Sequence, residues 1–453
     1  MQVGARSWRA ATAAIAVMTL LSGCGGGGVT PSPTATPTPS PTPEPTAAPT
    51  AAPGLFVDAG ADLGGISPYV YGTNDGPWLG VPFALRDQVV AAKLKFISWP
   101  GGNWGDENDV TTDQVDAFVT YCRSIGAEPR IVVRLQSGTA SAAADLVRYA
   151  NVTMKYNVKY WGIGNEPDLY EANGLTGYNV ERYNSDWRSF AQAMKAVDPT
   201  IELIGPDISQ FVASPSSDYL QTRTDWLTSF LKVNGDLVDV VSIHRYPFPA
   251  DGQTPPTIDD LRGNSNEWDQ IIPALRSIVK TQTGKDLPVA VTEVNSSYTQ
   301  NSGGDAGMDS HYNAIWFADI LGRMIDQKVD IVAQFAIAGY WGIVGASAPN
   351  PMYYDYMLYK QFGTKLVPAA SDDPLVTVYA AVRADGTLTV LIVNLGSTAA
   401  TKPLTIVGNV AKSAETWLFD ASHNAEKVAA TPLSNGGNVT LPPESVTLLV
   451  AAK

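Results

Sequence analysis

From Gly54 onward, short apolar runs alternate with stretches in which apolar side chains recur every three to four residues. Eight runs read as strands, at 67–73, 94–99, 130–135, 159–164, 201–206, 238–244, 288–292 and 330–336. Helical periodicity lies between most of them, at 113–125, 141–156, 183–197, 268–281 and 311–327. Eight β units alternating with α units fit a closed parallel barrel better than an open sheet. The pattern therefore predicts an α/β fold, a (β/α)8 TIM barrel over residues 54–369.

Beyond residue 370 the helical period stops. Runs at 376–383, 387–395, 402–406, 415–419 and 446–450 are separated by turn signals, the clearest being Asp385-Gly386. They predict a smaller all-β sandwich over 370–453, to which 55–62 offers a further strand. No solenoid-type repeat is present. Residues 24–53 carry four glycines and then a Thr/Pro/Ser/Ala repeat with nothing apolar to bury, the composition of an extended linker. Ahead of it, Arg6 and Arg9 precede an apolar run at 10–21, which reads as a signal peptide over 1–23. That run is too short to remain as a bilayer-spanning helix. Leu21-Ser22-Gly23-Cys24 resembles a bacterial lipobox, which implies lipidation of Cys24 and a secreted protein tethered to the membrane through that anchor alone. An ordinary signal peptide with an incidental cysteine is the alternative.

Composition narrows the partners. The chain is 45% hydrophobic and 16% charged, with a formal charge of −14. A phosphate-binding surface needs clustered Lys and Arg, so nucleic acid and anionic membrane surfaces are disfavoured and a neutral substrate suits the chain better. Cys122 shares a helical face with Val115, Phe118 and Val119 and reads as core. The three histidines show no ligand spacing, and neither a phosphate loop nor a dinucleotide fingerprint occurs. No cofactor and no catalytic metal is expected, while a stabilising Ca2+ is left open.

In a barrel of this kind catalytic side chains project from the C-terminal ends of strands. The fourth run ends Gly162-Ile163-Gly164-Asn165-Glu166-Pro167, where the two glycines leave room beside a carboxylate. The seventh ends Val289-Ala290-Val291-Thr292-Glu293, where period-two alternation puts Val289 and Val291 on the face of Glu293. Either acid taken alone could cap the following helix instead. Together they stand about three β/α units apart, on opposite sides of one mouth.

Gly164-Asn165-Glu166-Pro167 with Thr292-Glu293 resembles glycoside hydrolase clan A, retaining (β/α)8 enzymes with catalytic glutamates after strands four and seven. Ile66-Ser67-Pro68-Tyr69-Val70-Tyr71-Gly72-Thr73-Asn74 and Trp99-Pro100-Gly101-Gly102-Asn103 are similar to segments of its families 44, 51 and 79. The resemblance implies Glu166 as acid/base, Glu293 as nucleophile and Asn165 as partner of the sugar 2-hydroxyl. It implies His244 and Tyr246, on one face with Ser242, beside the nucleophile, and Trp341 as aromatic floor. Asn74, Trp99, Asn103 and Asn295, which stand in or beside these motifs, are further candidate substrate contacts.

One departure stands out: the clan usually carries an Arg near the end of strand two, where this chain has Ser98. Arg134 is the expected substitute. Trp78, Trp99, Trp104, Tyr340 and Trp341 fall near strand ends; any one alone reads equally as core, but several at one end favour a carbohydrate cleft. The reading is a retaining hydrolase of a polysaccharide of β-glucan or hemicellulose type. The alternative is a non-catalytic carbohydrate-binding surface lipoprotein on the same scaffold. The low Lys and Arg count disfavours a uronate.

Overall fold

The computed structural model describes residues 53–452 apart from 79, 251, 300–303, 409 and 410. Eight parallel strands close into a barrel: β1 (Gly72–Asn74), β2 (Phe96–Trp99), β3 (Glu128–Val133), β4 (Tyr160–Ile163), β5 (Glu202–Ile208), β6 (Val240–Arg245), β7 (Val289–Val294) and β8 (Ile331–Gln334). Each is followed by a helix: α1 (Arg86–Ala92), α2 (Thr112–Ile125), α3 (Ala140–Val147), α4 (Val180–Val197), α5 (Asp218–Asn234), α6 (Trp268–Thr283), α7 (His311–Asp326) and α8 (Met352–Tyr359). Side-chain oxygens at Thr111, Thr139, Asn179, Ser217 and Ser310 cap five helices by accepting otherwise unpaired backbone N–H groups.

Two predicted elements change form. The first run holds a 3-10 turn at Pro68–Val70, because Pro68 has no N–H and the Ser67 hydroxyl accepts from Tyr69 N; its strand is confined to β1. The expected helix over 141–156 ends at Val147 and continues as a π-helical segment, Arg148–Thr153. There Asn151 is drawn outward to Asp198 and the backbone of Val158.

Below the mouth the barrel is filled by Phe96, Tyr160, Ile204, Val240, Ala290, Ile331 and Ala333, with Tyr69 packed against them. Residues one step along each strand, among them Ile97, Ile131, Leu203, Val241, Val289 and Val291, face the helices instead. Cys122 is fully buried in that outer layer.

The C-terminal region is two sheets around a second apolar core. One orders Ala369–Ser371, Leu55–Asp58, Ala400–Val407 and Gly437–Leu441; the other has seven strands centred on Leu388–Asn394 and Ser445–Ala451. His423–Pro432 carries no apolar run because most of its residues face solvent, and Gly437–Leu441 buries only Val439 and Leu441, in alternation. α7 is buried nearly throughout, and its Asp319 accepts from Arg323, Thr377 and Tyr379, tying barrel to sandwich. Among the described residues no helix is long and apolar enough to cross a membrane. Cys24, the expected leader over 1–23 and the expected linker over 24–53 except for its last residue lie outside the described residues.

Candidate active site

Both glutamates reach the mouth by irregular backbone. Glu166 follows β4 with φ 45° and ψ 55°, a left-handed conformation that costs a non-glycine residue on the order of 1–3 kcal/mol. The turn is held by Asp106, fully buried, which accepts from the N–H groups of Leu135, Gln136 and Asn165 and from the Tyr170 hydroxyl. On β7, Val291 pairs with Ile243 but Glu293 with the next residue, His244, so Thr292 is extra in the ladder. That bulge turns both Thr292 and Glu293 inward. The expected shared face is thereby corrected, because Val289 and Val291 point out to the helices. A second bulge on β5 adds Asp207, φ 55°, to the interior.

Glu293 is 5% exposed. Its Oε2 accepts from the Tyr246 hydroxyl at 2.6 Å and its Oε1 from Gly102 N at 3.2 Å. Gly102 makes that approach with φ 62°, a conformation open to glycine. His244 Nδ1 lies 3.2 Å from Glu166 Oε1 and 3.7 Å from Glu293 Oε2, with its Nε2 3.7 Å from Asp207 Oδ1. Burial disfavours charge on this imidazole, but Glu293, Asp207 and Glu166 outweigh it and hold the pKa well above the usual value. Burial pushes the Glu293 carboxyl up; His244 pulls it down and the neighbouring Glu166 pushes it up again. Ser242, His244 and Tyr246 do share one side of β6 and its extension, as alternation predicts.

Charge beneath this cluster comes from a residue the motif search passed over. Arg130, on β3 and 2% exposed, donates to Ser98 Oγ at 3.1 Å and pairs with Asp207 Oδ2. Burial works against ionised Asp207, yet Arg130 and His244 hold its carboxyl well below the usual range. The space left by Gly162 belongs to this arginine: a Cβ there would run into Arg130 Nη2. Arg134, the expected substitute for the missing strand-two arginine, instead donates to the carbonyls of Asp106 and Gln136 and pairs with Asp109.

The remaining candidates separate into mouth and scaffold. Asn165 Nδ2 donates to Asn103 Oδ1 at 3.1 Å, so these two meet beside Glu166. Trp341 is half-buried and meets Phe335 edge to face. Three expected contacts are corrected. Trp99 faces outward from β2, 5% exposed and stacked on Phe118 with centroids 5.0 Å apart. Asn74 spends its amide on the carbonyl of Thr292 at 2.9 Å, tying β1 to β7. Asn295, fully buried, donates to the carbonyls of Phe335 and Trp341 and holds their loop.

Phe335 itself was absorbed into the eighth run. It stacks on Trp78 at 5.8 Å and meets Tyr246 edge-on at 6.4 Å. Asp207 likewise stands directly after the fifth run, where strand-end inspection finds it. Glu166, His244 and Glu293 each bring one oxygen or nitrogen within 4.8 Å of the others, so a proton on His244 and a metal ion are alternative occupants of the same gap.

An eight-stranded barrel with two glutamates this close, after strands four and seven, has the architecture of glycoside hydrolase clan A. Comparison with known proteins agrees at that level. Residues 140–348 match the family described as Glycosyl hydrolases family 39. An intracellular exo-α-(1→5)-L-arabinofuranosidase of Acetivibrio thermocellus is 26% identical over 212 residues, 42% of this chain and 39% of that protein. The α-L-arabinofuranosidase of Thermotoga maritima superposes with a TM-score of 0.73 at 19% identity, over 88% of this chain and 100% of its own. CelM2, a bifunctional glucanase-xylanase from a metagenome library, superposes with a TM-score of 0.69 at 18% identity, over 88% and 99%.

These matches correct one expectation. Four of the related arabinofuranosidases are named intracellular, which overturns the reading of a secreted, membrane-tethered lipoprotein. That reading rested on Arg6 and Arg9 ahead of the apolar run 10–21 and on Leu21-Ser22-Gly23-Cys24, all of which lie outside the described residues.

Proposed function

We propose that the chain is a retaining glycoside hydrolase with Glu293 as nucleophile and Glu166 as acid/base. The observation that carries the reading is the approach of the two carboxylates, each with an oxygen within 4.8 Å of the other. Double displacement asks for carboxyl groups about 5–5.5 Å apart, whereas inversion needs about 6.5–9.5 Å to admit a water.

Glu293 receives a donor on each oxygen, an arrangement suited to an ionised carboxylate. It attacks the anomeric carbon as the bond to the leaving oxygen breaks, and Glu166 gives that oxygen its proton. Water then adds to the same carbon, losing its proton to Glu166 as the bond to Glu293 breaks. Negative charge moves from Glu293 to Glu166 in the first step and back in the second. His244 faces both, so one imidazolium stabilises the charge in either position. Asn165 and Asn103 serve as partners for sugar hydroxyls, and Phe335, Trp78 and Trp341 as apolar walls for the ring.

The substrate proposed first is a terminal α-L-arabinofuranoside. Its support is the activity by which several sequence relatives are named, exo-α-(1→5)-L-arabinofuranosidase. The matched segment covers 39% of the length of the first of them. β-Glucan and xylan oligomers belong in the same panel, because the glucanase-xylanase shares the fold.

The test is turnover of aryl glycosides and oligosaccharides, with NMR following the anomer first released, beside Glu166→Gln and Glu293→Gln. Retained configuration and losses of about 10²-fold or more in both variants are expected. No turnover across the panel, or an inverted product, overturns the reading.

A further inference from the structure

A second aromatic surface is joined through Arg223 and Asp168 to the acid/base loop. Tyr219, in the first turn of α5, is 54% exposed, yet its ring centroid is only 3.7 Å from Arg223 Cζ. Arg223 is 5% exposed; its Nη1 donates to the Tyr219 carbonyl at 3.2 Å and its Nε lies 3.2 Å from Asp168 Oδ2. Asp168, two residues past Glu166, also accepts from Ser209 N at 3.1 Å and Ser209 Oγ at 2.5 Å. A buried chain of polar contacts thus runs from the Glu166 loop to the underside of an exposed ring. Partial burial, together with the charges of Asp168 and Glu166, pushes the Tyr219 phenol up, while Arg223 opposes them, so the ring lies within electrostatic reach of the acid/base.

An exposed aromatic of this kind is unusual in being fixed. One face is covered by a guanidinium that is itself locked by an ion pair, which orients the ring at no further entropic cost on binding. The other face is left for a ligand. A sugar ring presents apolar C–H groups on one side and stacks on such a platform without needing charge. Since Glu166 donates to the leaving oxygen, the group on its side of the scissile bond is the departing one.

We propose that Tyr219, held flat by Arg223, is the stacking platform for the sugar on the leaving-group side of the scissile bond, a neutral furanose or pyranose. The proposal rests on Glu166 being the acid/base of a glycoside hydrolase. It assigns Tyr219 to binding and Arg223 and Asp168 to positioning the ring.

The test compares two substrates sharing one glycone: α-(1→5)-linked arabinobiose, whose leaving group is a sugar, and arabinofuranosyl fluoride, whose leaving group has no ring. In Tyr219→Ala, kcat/KM for the disaccharide should fall about tenfold while that for the fluoride stays within about twofold. Tyr219→Phe keeps the ring and should keep both values. Equal losses on the two substrates, or none on either, overturn the platform. Where the panel identifies another glycone, the same pair is built on that sugar; a wild-type protein that turns over nothing in the panel removes the hydrolase reading, and the platform with it.

Discussion

The Tyr246 hydroxyl donates to Glu293 Oε2 at 2.6 Å, between two side chains that are each nearly excluded from solvent. A hydrogen bond to a buried ionised carboxylate is worth about 1.5–3 kcal/mol. Tyr246→Phe keeps the ring against Phe335 and removes only the donor. We expect kcat/KM to fall by about 10- to 100-fold and the thermal midpoint to fall by only a few degrees. Steady-state kinetics beside calorimetry check this, and an unchanged kcat/KM would show that the bond is structural.

His244 makes stability depend on pH in a defined direction. Its folded pKa is raised far above its ordinary value of 6.5, burial being outweighed by Glu293, Asp207 and Glu166. The native state therefore holds a proton that the unfolded chain has lost once the pH exceeds 6.5. The stabilisation is complete below that pH and is lost as the pH rises through the folded value, by up to about 1.4 kcal/mol per unit. Denaturant titrations across that window should give a steeper decline for the wild type than for His244→Asn. Parallel curves would refute a charged His244.

Arg130 and Asp207 are 2% and 3% exposed at their side chains, so removing one partner strands the other. Arg130→Met should cost about 3–5 kcal/mol, and Arg130→Met with Asp207→Asn should regain at least half of it. Urea midpoints measure both. A single variant within about 1 kcal/mol of wild type is incompatible with an interior ion pair.

Trp99 tests the division between mouth and scaffold. Buried against Phe118, it should lose about 3–5 kcal/mol of stability on Trp99→Ala, with KM for any accepted glycoside unchanged at a temperature where the variant is folded. A raised KM in folded protein would return Trp99 to the substrate cleft.

Much of the site was legible because barrel chemistry gathers at strand ends. Glu166 and Glu293 each follow an apolar run, and Ser242, His244 and Tyr246 stay on one side through simple alternation. Alternation also explains the misreading of Trp99: Phe96 and Ser98 face inward on β2, so the next residue faces out. Asn74 and Asn295 escaped for another reason. A buried amide that satisfies backbone carbonyls has the same sequence signature as one that meets a sugar.

By itself the sequence determined the order of β and α units, the switch to an all-β region and the two carboxylates at the barrel mouth. These follow from local periodicity and from the rule that strand C-termini face one opening. Only the tertiary structure decided which way Glu293 points, since one extra residue at Thr292 reverses every face beyond it. It alone decided that Arg130, not Arg134, lies against Ser98 at the position of the missing strand-two arginine. That choice depends on the room left by Gly162 and on Asp207 turned inward by a bulge, contacts between strands that no spacing along the chain encodes.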